Sequence, residues 1–110
     1  MSFRAVTGAL VLSACTSSAA GQALDIPAEL WDRPRAASDI ARQESIKAAV
    51  LAALAQPESR LVIHHGNAQE PLLQAEELRS WLGALAIDTR RIVLRSDLSL
   101  GAPLKLEVVP

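Results

Sequence analysis

The side chains able to do chemistry in this sequence are few and fall between residues 64 and 97: the adjacent His64 and His65, the carboxylates Glu70, Glu76 and Glu77, and the dipeptide Ser96-Asp97. Two neighbouring histidines could hold a metal only if their rings converged. In an extended segment successive side chains point to opposite faces, so these two diverge and no shared ion is expected. No Cys/His set has zinc spacing, and no glycine-rich phosphate loop is present. Ser96 and Asp97 could be combined with His65 into a hydrolase constellation, but the Gly-x-Ser-x-Gly elbow that would present the nucleophile is missing. The glutamates fit helix ends and solvated helix faces. A histidine closing a strand then reads as a hydrogen-bonded structural group, and neither catalysis, metal nor cofactor is expected.

The elements that must position these groups are read from hydrophobic periodicity. Leu61, Val62 and Ile63 lead into the two histidines, with Pro57-Glu58-Ser59 before them and Gly66-Asn67 after. A β-branched run bounded by turn formers predicts a buried central strand. Ahead of it, Ile46, Ala49, Val50, Ala53 and Leu54 recur at helical spacing, predicting one helix over 38–55, capped by Ser38 or Asp39 and stopped by Pro57. Behind it, a helix over 71–85 starts at Pro71, whose missing amide hydrogen is no loss there; Leu72, Ala75, Leu78, Leu82 and Leu85 form its buried face, with Trp81 at the margin.

Ile92, Val93 and Leu94 make a second strand, and strand, helix, strand in that order implies a parallel crossover. Along 104–109 apolar Leu104, Leu106 and Val108 alternate with Lys105, Glu107 and Val109, the pattern of a strand covered on one face. Leu24-Asp25-Ile26 is a candidate edge strand whose ladder Pro27 ends. Trp31 is expected to plug one end of the core, the alternative being an exposed partner contact. The predicted fold class is an α/β two-layer sandwich: a βαβ core with two amphipathic helices on a three- to four-stranded mixed sheet.

Half of the 110 residues are hydrophobic, enough to predict a folded core, while aromatics are only 3% and leave little for stacking bases or sugars. The net charge is −1 with both signs interspersed, so the clustered basic face of a nucleic-acid binder is absent from the sequence. Arg4 followed by the apolar run 5–14 has the order of an export signal, shorter than the roughly 20 residues a membrane span needs. Leu12-Ser13-Ala14-Cys15 resembles a bacterial lipobox, and Cys15 is the only cysteine. The expected organisation is a signal over 1–14, a lipidated flexible tether over 15–23 and one domain over 24–110. Ordinary cleavage near Ala20 or Ala23, giving a periplasmic protein, is the alternative. Thr16 after the cysteine resembles sorting to the periplasmic side of the outer membrane. With no further cysteine, the domain must hold by packing alone.

The apolar helix ending at Gln56-Pro57-Glu58-Ser59, the run Arg60-Leu61-Val62-Ile63-His64-His65-Gly66-Asn67, the acidic helix with Trp81-Leu82, and the strands at 91–94 and 104–109 together resemble an OmpA-like C-terminal domain. The resemblance covers roughly residues 38–109. It implies binding of the peptide stem of peptidoglycan by an aspartate after the first core strand and an arginine in the next helix. Here Asn67 and Gln74 stand at those places and His65 where the family has histidine or tyrosine, so the implied ligand-binding residues are His65, Asn67 and Gln74. Two amides do not replace a carboxylate and a guanidinium in charge-assisted binding. The expected function is therefore an exported, non-catalytic envelope lipoprotein, an accessory or interaction module of an outer-membrane or secretion assembly. Its expected partners are the membrane through its anchor and an envelope protein, met at the edge of strand 104–109 and at the Glu70/Gln74 helix start. Peptidoglycan or small-ligand binding is the alternative.

Overall fold

The computed structural model describes residues 23–110; the signal, Cys15 and most of the tether lie outside them. Four strands, β1 (Ala23–Asp25), β2 (Arg60–Gly66), β3 (Ile92–Leu98) and β4 (Lys105–Val109), form one mixed sheet in the order β1-β4-β2-β3. Three helices, α1 (Ala37–Arg42), α2 (Glu44–Ala55) and α3 (Gln69–Ala84), complete the fold with two short 3-10 turns, Ala28–Asp32 and Thr89–Arg91. This is the two-layer α/β sandwich with a βαβ core. β2 runs parallel to β3, Ile63 level with Leu94, and antiparallel to β4, Ile63 level with Leu106.

Each strand presents alternate residues to the helices. Leu61, Ile63, Leu104, Leu106 and Val108 meet Ile46, Ala49 and Ala53 of α2 and Ala75, Leu78 and Leu82 of α3 in one core. Burying a Leu or Ile fully is worth about 1.5–3 kcal/mol, so this layer supplies the main stabilisation of a domain without disulfides. The apolar faces are narrower than their spacing suggests: Leu54 and Leu72 are exposed and Leu85 is half-buried.

The helix expected over 38–55 is two helices. Gln43 is extended (φ −65°, ψ 125°), and its side-chain oxygen accepts from the backbone amides of Ser45 and, more weakly, Ile46, capping α2. On one continuous helix Ile40 and Ile46 would sit about 120° apart around the axis. The break lets both be completely buried. Neither Ser38 nor Asp39 is the cap; both lie inside α1, and Asp39 instead accepts from the amide of Ala36. α3 starts two residues earlier than expected, so Pro71 falls within its first turn.

The strand over 104–109, expected at an exposed edge, is interior. β1 pairs it on one side, Leu24 level with Leu106, and β2 on the other. The reason is β1 itself, anchored by the residue that follows it, Ile26, completely buried and donating its amide to the carbonyl of Leu104. The long open edge belongs to β3, where the register slips between His65 and Gly66 and Asp97 becomes an extra residue. A bulge with charged neighbours is how edges resist pairing with other chains.

The C-terminus of α3 closes by a Schellman pattern: the amide of Ile87 donates to the carbonyl of Leu82 and that of Ala86 to Gly83. The residue between must be left-handed, and Ala86 is, with φ 81°. Glycine adopts that conformation without a Cβ clash. Ala86→Gly is expected to stabilise the protein by about 0.5–1 kcal/mol in urea denaturation; unchanged or lowered stability would contradict the strain.

Candidate functional site

β2 ends at Gly66 and α3 begins at Gln69, so the chain turns sharply at the carboxyl end of a central strand. Crevices at that end of α/β sheets are common ligand sites. Here the turn, the β3–β4 loop and the segment after β1 enclose a groove of about 440 Å³. Its walls include Trp31, Pro71, Leu100 and Pro103, with Glu70 and Gln74 supplying polar groups from the first turns of α3. Leu100 stands on the rim, 86% exposed, on a turn that Gly101 permits by its positive φ of 84°.

The structure separates the three residues implied for ligand binding. Gln74 is half-buried and lines the groove. Asn67 is exposed in the turn beside it and is not among the lining residues. His65 is buried beneath: it faces the helix layer, is 5% exposed, and its Nδ1–H donates to the carbonyl of Gly66 at 2.7 Å. That is the structural role of a histidine closing a strand; its ring does not reach the groove.

His64 points to the opposite, helix-free face of the sheet, as strand alternation requires. Its Nδ1 meets the Asp97 carboxylate at 2.9 and 3.0 Å and its Nε2 meets Glu107 at 2.8 Å. Its cross-strand neighbours are Lys105 and Arg95, and Lys105 is in turn paired with Asp25. The imidazole sits between the two carboxylates and keeps them apart, so the three do not form a chelate. Among the described residues no group of three or more His, Cys, Asp or Glu side chains could hold a metal ion.

The groove's second wall is a segment whose importance the sequence did not signal. From Pro27 to Arg35 the chain crosses from the sheet to α1, carrying the 3-10 turn Ala28–Asp32. Trp31 on this turn is half-buried: it packs against the core from one side and lines the groove from another. The Arg35 guanidinium lies 5.1 Å from the centre of its ring, a cation–π distance. The same guanidinium forks onto Glu77 of α3, Nε to Oε2 at 2.6 Å and Nη2 to Oε1 at 2.8 Å, while the Trp81 indole donates to Oε2 at 2.9 Å. Glu77, expected on the solvated side of its helix, is thus the anchor of this wall. The Arg35 fork holds its carboxyl below the usual carboxylate range, assisted by the Trp81 hydrogen bond, and Glu77 in return raises Arg35.

Glu70 and Gln74 give the groove acidic and amide groups, and the described residues that line it include no histidine, serine or cysteine. Among the described residues no helix is long and apolar enough to cross a membrane. Compared with protein-family models, with curated proteins and with solved structures, the chain matches none.

Proposed function

We propose that this protein is a non-catalytic binding module of the bacterial envelope, exported and lipid-anchored at Cys15, that receives a segment of a partner protein in the groove beside α3. The observation that carries the reading is the groove itself: about 440 Å³, within the range of ligand sites, with apolar walls and a few convergent polar groups. The exposed Leu100 at its rim is the kind of apolar side chain that a partner covers. Topology adds to the reading. β1 enters the sheet at Ala23, level with Glu107, and runs toward the groove at Asp25. Cys15 precedes Ala23 by eight positions, a reach of no more than about 28 Å. A lipid at Cys15 would hold the domain within that reach of the bilayer.

The second reading, capture of a cell-wall peptide, draws on the OmpA-like resemblance and on Gln74, which lines the groove. Affinity capture from envelope extracts, run beside sedimentation with purified sacculi, separates the two. The expected result is a stoichiometric partner protein captured by the native chain and lost, at least tenfold, with Leu100→Asp, a substitution at a site too exposed to disturb folding. Retention on sacculi with no protein partner would transfer the groove to the second reading. Neither capture nor retention would remove both.

A further inference from the structure

One wall of the same groove is only lightly packed. Ile26 and Ile40 are completely buried, yet none of residues 27–39 between them is buried. Such a segment has little packing to hold it, the physical signature of a region that opens at lower free energy than the whole. Its backbone bonds are local, Leu30 to the carbonyl of Pro27 and Asp39 to that of Ala36. Beyond the partial packing of Leu30 and Trp31, its hydrogen-bonded tie to the rest of the domain is the Arg35 fork on Glu77.

The segment also lies between two hollows. On one side is the groove, to which it contributes Pro27, Ala28 and Trp31. On the other is a cleft of about 300 Å³, lined by Leu30, Arg33, Pro34 and Arg35 with Arg42 and Gln43 of the α1–α2 junction. Close-packed interiors resist displacement because atoms have nowhere to go. A strap with open space on both sides does not meet that resistance. Pro27 and the extended Arg33 (φ −148°, ψ 164°) bound the 3-10 turn, so it can swing as a unit about its two ends.

We propose that Pro27–Arg35 is the gate of the groove, latched to α3 by Arg35 and Glu77, and that its swing into the second cleft widens the groove to admit the occupant. The inference rests on the groove being the binding site, but the motion belongs to the free protein. Glu77 faces Arg35 from the strap and Trp81 from its own helix; the neighbouring Glu76 and Arg79 are exposed. With the Glu77 carboxyl held below its usual range, the latch is closed at neutral pH.

Hydrogen exchange of backbone amides by NMR, on the native chain and Glu77→Gln, tests the gate without a ligand. In the native chain the amide of Leu30 is expected to exchange at least 100-fold faster than those of Leu61 and Ile63 after correction for intrinsic rates, and with little dependence on dilute urea. Glu77→Gln is expected to speed Leu30 exchange roughly tenfold, the loss of a charge-assisted fork. Strap amides as slow as those of β2, or a Leu30 rate unchanged by Glu77→Gln, would overturn the gate. The apolar fluorophore 1-N-phenylnaphthylamine then reads the groove. Several-fold tighter binding to Glu77→Gln is expected, and equal measurable binding to both proteins would show that the motion does not serve the groove. If the dye binds neither protein while the exchange results hold, the groove reading fails and with it the gate as an entrance, leaving only a mobile strap.

Discussion

Arg91→Met is expected to lower stability by about 2–3 kcal/mol, while the same change at the adjacent, exposed Arg90 is expected to leave the unfolding midpoint almost unchanged. The two arginines differ only in what the fold gives them to bind. Arg90 is exposed and folds back on Asp88, two residues away. Arg91 is half-buried and reaches across to the end of α2. Its Nη2 donates to the carbonyls of Ala53 at 2.9 Å and Gln56 at 3.0 Å and to Ser59 Oγ at 3.0 Å, and its Nε donates to the Ser59 carbonyl at 2.9 Å.

The Ala53 and Gln56 carbonyls lie at the C-terminal end of α2 and each also accepts a backbone amide, those of Gln56 and Ser59; the guanidinium adds a second donor to each, and a cation is favoured there by the helix dipole. Ser59 is 2% exposed, so water does not readily replace the guanidinium. Methionine keeps the stem and removes every donor. Arg91→Lys keeps the charge but not the fork, and is expected to recover less than half of the loss. Urea denaturation of the four proteins decides it. Equal midpoints for Arg90→Met and Arg91→Met would mean that the guanidinium contacts contribute nothing.

The second large effect is a pH dependence carried by Glu77. Its carboxyl titrates below the usual range in the folded protein, first because of the Arg35 fork. A group whose folded value is depressed adds stability above its unfolded value and loses it as the pH falls through the folded one. Glu77→Gln is therefore expected to be less stable than the native chain by about 1–1.5 kcal/mol at pH 7. The effect is smaller than for a buried pair because the Glu77 side chain is about one-third exposed (34%) and water screens the fork. The difference is expected to begin to shrink near pH 4, where an unperturbed glutamate protonates, and to go on shrinking as the pH falls through the folded value. Denaturation at pH 7, 5, 4 and 3 measures it. A difference that stays constant from pH 7 to pH 3 would show that Glu77 acts by shape and not by charge.

How far the site was legible follows from distance along the chain. Gln74 is marked only through the OmpA-like resemblance, as the residue at the family's arginine position; nothing local in its helix singles it out as a residue that lines the groove. Trp31 could be marked as the unusual side chain between Pro27 and Pro34, but not as a groove wall, since the opposite wall is some forty residues away. Nothing near Arg35 announces Glu77, and nothing near Glu77 distinguishes it from Glu76. His64 and His65 show both sides of the matter: alternation alone required them to face apart, yet which one is buried depended on which face the helices cover.

Local periodicity was enough for the elements and their kind: a buried strand through Ile63, a crossover helix, a parallel partner through Val93 and an alternating strand through Leu106 each carry a repeat of two or 3.6 residues within their own segment. The strand order that encloses β4, the break at Gln43, the Arg91 cap and the Arg35–Glu77 latch arise only in the folded chain. Each of those depends on groups that are distant in the chain, or that must share one core, being brought to within a few ångströms. No local pattern specifies such a meeting; it exists only once Ile26, Ile40 and Ile46 have all found room in the same core.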